Sequence, residues 1–194
     1  MALISFAFER RRPLWIGSLV FLSVVFSFGF SCAVPLAAFA AIGALTLPRG
    51  DALVVIGALW LANQIIGFAV LHYPLDRGAF AWGGVLGAAA LVATLAAQWV
   101  SGGLSQRNRF LGSTAAFLAA FAVYEGVLCT ISAMSAAGIS NFAPAIVLRI
   151  FLINAAAFTV LLLLRRAMAS RGLTGKEGPL APNRGLDKLV REVR

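Results

Sequence analysis

Charge is what this chain has least of. Of 194 residues 12% are charged, with seven acidic against sixteen basic, where soluble domains carry about a quarter. Histidine occurs once and cysteine twice. A single His72 excludes a bis-His haem or a histidine cluster for metal. Cys32 and Cys129 lie far apart with no C-x-x-C, so no redox pair or metal knuckle is encoded. Nothing resembles H-E-x-x-H, a G-x-S-x-G elbow with a usable histidine, a P-loop, or paired aspartates for metal and phosphate. Asp51 and Asp76 read as loop residues and lie far apart in sequence. No enzyme activity, metal or cofactor is therefore expected. The net charge of +9 does not indicate nucleic acid either, because the basic residues sit at the ends of apolar segments and in the tail, not on an aromatic-studded soluble face.

What remains is apolar. Hydrophobic residues make up 61% of the chain, and from Leu14 to Leu164 there is room for several spans of about 20 residues but none for a water-soluble second domain. The expected fold is all-α: a polytopic membrane protein built as a compact bundle of six transmembrane helices. Proline, glycine and charge cut these at about residues 13–30, 33–47, 52–72, 79–100, 110–137 and 143–165. Residues 1–12 form a basic arm, 13–168 the transmembrane domain, and 169–194 a flexible basic tail. Within that tail Leu186, Leu189, Val190 and Val193 recur at helical spacing, an amphipathic end suited to a membrane surface or a partner.

Orientation follows from arginine. Arg10, Arg11 and Arg12 precede the first span, Arg107 and Arg109 lie in the fourth loop, and Arg165, Arg166 and Arg171 open the tail. Six spans put all of these, with Arg49, on one side, and the positive-inside rule makes that side, and both termini, cytoplasmic. The abundance of arginine over lysine fits a GC-rich bacterial genome, hence a multi-pass protein of a bacterial inner membrane. The alternative is a signal peptide cleaved near Ser31-Cys32-Ala33, leaving five spans; an apolar run longer than the usual 7 to about 15 residues argues against it.

Two charges stand inside these spans, Glu125 in the fifth and Arg149 in the sixth. A charge at bilayer depth costs about 2.5 to 3.5 kcal/mol on insertion scales, so it is kept where it is paired, lines a cavity or does work. Counting along ideal helices puts Glu125 near the middle of its span, either neutral and hydrogen-bonded or ionised beside a cation. Three arrangements fit: a direct pair with Arg149, a small anionic or zwitterionic ligand between the two, or Glu125 bonded to Asn154 with Arg149 facing elsewhere. Asn63, Gln64 and Gly67 form a contact or binding notch in the third span, with His72 and Tyr73 at its outer rim. Gln98, next to Trp99, reads as interfacial. Small residues at four-residue spacing, Ala79, Gly83 and Gly87, then Ala115 and Ala119, Ala122 and Gly126, Ser132 and Ala136, allow close helix contact, as does the Ser23, Ser27, Ser31 stripe.

Six short-looped spans in a chain of this size are similar in overall architecture to the substrate-binding membrane subunits of energy-coupling-factor vitamin transporters, without a shared motif. The function expected is a small-solute transport component, with Glu125, Arg149, Asn63, Gln64 and Asn154 as candidate binding residues. Its partners would be the lipid bilayer, a small anionic or zwitterionic ligand, and other membrane subunits docked on small-residue faces and the tail. The alternative is an accessory or assembly subunit of a larger membrane complex, in which these polar residues only fix helix packing.

Overall fold

The computed structural model describes residues 11–30, 34–104, 108–135 and 142–171. Arg10, the Ser31-Cys32-Ala33 junction, Arg107, Ala136 and the tail's amphipathic end lie outside the described residues. Among the described residues the protein is entirely helical, with six helices: α1 (Arg11–Phe30), α2 (Leu36–Thr46), α3 (Arg49–Ala69), α4 (Arg77–Leu104), α5 (Arg109–Met134) and α6 (Pro144–Ser170). Helices α3 to α6 are long and apolar enough to cross a membrane, whereas the apolar part of α1, Pro13–Gly29, and α2 are shorter.

Local chemistry sets most of the boundaries. The Asp76 carboxylate accepts the Ala79 N–H at 2.8 Å at the start of α4, and Asn108 Oδ1 accepts the Phe110 N–H at 2.9 Å at the start of α5. Each satisfies a donor that the first helical turn leaves open. Pro144 opens α6, where its fixed φ suits a first turn. At the end of α3, His72 turns into the left-handed region with φ 55°, and the Tyr73 N–H returns to the Gly67 carbonyl at 3.0 Å.

Helix α2 differs from the rest. Its eleven residues span only about 16 Å, roughly half of a hydrocarbon core about 30 Å thick. Every residue from Leu36 to Ala44 is buried. A helix apolar all round must be surrounded, and α2 packs against α3, α4, α5 and α6. Helix α1 joins it through Trp15 Nε1, which donates to Thr46 Oγ1 at 3.0 Å, and through an edge contact of Phe26 on Phe39 with ring centroids 6.0 Å apart. The second predicted span is thus the axis of the bundle.

Around that axis the helices close by small residues. On α4, Gly83, Gly87, Ala90, Thr94, Ala97 and Ser101 are buried at alternating spacings of four and three; on α5 the buried set is Gly112, Ala116 and Ala120. The expected stripes are therefore right for Gly83, Gly87 and Ser132 but not for Ala122 and Gly126, which are exposed on α5. An Ala-rich helix offers several such stripes and can bury only one. Here the one beside the bulky Phe117 and Tyr124 wins, because those rings must be covered too.

Candidate functional site

Glu125 is buried, with 8% of its surface exposed. It lies about 24 Å along α5 from Arg109 and about 14 Å from Met134, nearer one end than the expected midpoint. One turn before it, the Phe121 ring meets Phe151 of α6 edge-on at 5.0 Å, and a turn earlier Phe117 stacks on Phe158 at 4.9 Å. Glu125 follows Phe121 one turn on, on the same side of α5 as these rings. Among the described residues no hydrogen bond or ion pair reaches the Glu125 carboxyl.

Arg149 does not face it. Two residues before Phe151, it points about 160° round the helix from that ring, onto an exposed surface shared with Ala145, Leu148, Leu152 and Ile153. The direct Glu125–Arg149 pair is not formed, and the two side chains project from their helices in different directions. The cause is helix register. Phe121 lies about 20 Å from the end of α5 at Met134, but its partner Phe151 only about 10 Å from the start of α6 at Pro144. The hairpin is lopsided, so counting equal depths from a central turn misplaces every residue on α6.

Asn154 is buried elsewhere. Its Oδ1 accepts the Ala38 N–H at 3.1 Å, while its Nδ2 donates to the Ile150 carbonyl at 3.0 Å. Asn154 is thus the cap of α2 supplied from another helix, and not a partner of Glu125. Pro35 stands at the start of α2 without a side-chain cap of its own, and in a dry interior an open N–H costs about 1 to 3 kcal/mol. At the other end of α2, Arg165 Nη1 donates to the Leu45 carbonyl at 3.5 Å, where a cation also complements the helix dipole. Helix α6 therefore grips α2 at both ends. The missing local cap at Pro35, together with a buried Asn in a later span, was the signal in the sequence.

Asn63 and Gln64 serve the α1–α3–α4 seam. Asn63 Nδ2 donates to Ser27 Oγ at 3.2 Å, Gln64 Nε2 donates to Asn63 Oδ1 at 3.4 Å, and the Gln64 amide lies over Gly83. Trp60, one turn before Gln64, covers Gly87 and donates Nε1 to the Gly83 carbonyl at 2.8 Å. Gly67 admits no second helix backbone; it accommodates the ring of Tyr73, which also meets Phe68 edge-on at 6.2 Å. The five candidates therefore occupy four separate places, and of the buried ones only Glu125 is left without a hydrogen-bond partner among the described residues.

Comparison with family models, with curated proteins and with solved structures returns no match. Among the described residues no group of histidine, cysteine and carboxylate side chains could hold a metal ion. What the arrangement offers chemically is one buried carboxyl at the α5–α6 seam, floored by phenylalanine rings. Helix α5 packs chiefly on α4, and its approach to α6 is slight.

Proposed function

We propose that this chain is a multi-pass inner-membrane protein acting as the solute-binding component of a transport system, with Glu125 as the group that meets the solute. The observation that carries the reading is the contrast between Glu125 and the other buried polar residues. Asn63 and Asn154 are each used up in holding helices together, and Glu125 is not. A buried carboxyl costs more than an amide and is retained against that cost, which favours a working role. All six helices enter the bilayer in this reading, α2 sheathed by protein, and both termini are cytoplasmic. The Trp15–Thr46 and Arg165–Leu45 bonds support it by bringing the start of α1, the end of α2 and the end of α6 to the same end of the bundle.

The test is a thermal-shift screen of the purified chain in nanodiscs against water-soluble vitamins, amino acids, amines and small organic acids. At least one compound should raise the melting temperature of the wild type and not that of Glu125→Gln, with the unliganded temperatures alike. A screen in which every response survives Glu125→Gln would end the reading.

A second reading, an accessory subunit of a larger membrane complex, is favoured by a different observation: from Pro144 to Ile153 no residue of α6 is buried. That stretch, with Arg149 on it, would then be a docking face. Pull-down from native membranes separates the two, since Arg149→Glu should release a subunit under the second reading and nothing under the first.

A further inference from the structure

The solute class can be narrowed, on the assumption that the transport reading holds. We infer that the α5–α6 seam takes an organic cation, an amine or quaternary ammonium with an apolar body, held by the Glu125 carboxylate over the Phe121 and Phe151 rings.

Three features of the seam agree on this. The first is sign. Among the described residues Glu125 is the one acidic side chain on α5 and α6, and Arg149, the nearest cation along α6, projects from another face of that helix. An anionic or zwitterionic solute would need the forked donor that the sequence seemed to provide and the register removes. A carboxylate with no partner of its own is instead complementary to an incoming positive charge.

The second is the floor. Phe117, Phe121, Phe151 and Phe158 form a continuous set of ring contacts, with centroid separations between 4.9 and 6.4 Å. It ends one helical turn below Glu125, since Phe121 and Glu125 are four apart on the same side of α5. The face of an aromatic ring carries negative potential and attracts cations, ammonium groups above all. A carboxylate one turn above such rings gives both a counter-charge and an apolar, cation-tolerant surface for the body of the molecule.

The third is access. Phe151 is half-buried, and none of the ten residues from Pro144 to Ile153 is fully buried. On the α5 side Ala122 and Gly126, flanking Glu125 in sequence, are exposed. The seam is therefore bordered by small or uncovered positions on both helices. A molecule can reach Glu125 by displacing side chains at the edge without opening the tightly packed α2 axis.

The experiment is equilibrium binding to the full chain in nanodiscs, with tetramethylammonium, phenethylamine and tetraphenylphosphonium as probes, neutral triphenylphosphine oxide and tetraphenylborate as controls, and empty nanodiscs subtracted. At least one cation should bind saturably. Its affinity should fall about tenfold or more in Glu125→Gln, stay within about threefold in Glu125→Asp, and fall by a smaller factor in Phe121→Leu. Neither control should depend on Glu125. Size-exclusion profiles and helical circular dichroism establish that each variant folds; if Glu125→Gln does not, the Glu125→Asp and Phe121→Leu ranking carries the test. Cations that bind wild type and Glu125→Gln alike, or none that binds saturably, would overturn the inference. If an anion or neutral solute binds in a Glu125-dependent way, the cation class is wrong while the transport reading stands.

Discussion

Asn154 on α6 accepts the N–H of Ala38 on α2 at 3.1 Å, so the first turn of the central helix is completed by a residue 116 positions later in the chain. Replacing Asn154 with Leu keeps the volume but removes one of the two acceptors of that donor, which also meets the Pro35 carbonyl at 3.0 Å. The expected loss is about 0.5 to 1 kcal/mol, near the average of about 0.6 for interhelical bonds in membranes, because the Pro35 carbonyl still holds the donor. Reversible unfolding in mixed micelles measures it; a Leu variant as stable as wild type would show that the bond is dispensable.

Gly67 and Tyr73 should behave as a coupled pair. A methyl group on Gly67 would meet Tyr73 Cε2 at 2.6 Å, and the ring cannot retreat freely while the Tyr73 N–H is bonded to the Gly67 carbonyl. Gly67→Ala should cost about 1 to 3 kcal/mol despite the better helix propensity of alanine. In the Gly67→Ala, Tyr73→Ala double variant most of the added penalty should disappear, a coupling that a double-mutant cycle reads directly.

The glycines of the helices should fall into two groups. Gly87 lies beneath the Trp60 ring, 2.6 Å from where a Cβ would sit, while Gly57 and Gly126 have nothing within 4 Å. Gly87→Ala is expected to lower thermal stability, by about 1 to 3 kcal/mol. Gly57→Ala and Gly126→Ala should be neutral, or gain up to about 1 kcal/mol from helix propensity. Equal behaviour of the three would mean that Trp60 does not pack on α4.

His72 holds a backbone conformation that favours glycine, with φ 55°. His72→Gly should therefore stabilise the α3–α4 turn by up to about 1 kcal/mol, and His72→Val should destabilise it by about 1 to 2. Melting temperatures of the two variants are expected on opposite sides of wild type.

Arg149→Ala should change little in the isolated protein. The side chain is exposed on α6 and faces away from Glu125, so stability should stay within about 0.5 kcal/mol. Any ligand response that depends on Glu125 should persist. Loss of that response in Arg149→Ala would place the guanidinium at the seam and refute the register described here.

Much of the helical layout was legible in the sequence, and the reasons are physical. Apolar length and the breaks at Pro35, Pro48 and Pro144 mark helices without reference to tertiary structure, and each of the six predicted segments coincides with a helix of the bundle. Burial of Ser23, Ser27, Asn63 and Asn154 also agrees with their polarity in an apolar run. Direction along a helix was less accessible. Hydropathy gives no rotation or register for α6, so the direction of Arg149 stayed open among three arrangements and Asn154 was matched in depth to Glu125. The role of Arg165 was hidden for another reason: among tail arginines its charge suggested orientation, and only the short reach of α2 brings the Leu45 carbonyl to it.

The position of α2 also orders events in time. It is the second helix to be synthesised, yet the side chains that complete its two ends, Asn154 and Arg165, are carried by the last. Until α6 emerges, a half-length helix must wait with its Leu45 carbonyl unmet and its Ala38 N–H held by Pro35 alone, a shortfall that hydrocarbon penalises. A ribosome stalled before α6 should thus leave a chain whose middle is unfinished, sensitive to proteolysis and recognisable to membrane quality control, although five of its six helices have already been made.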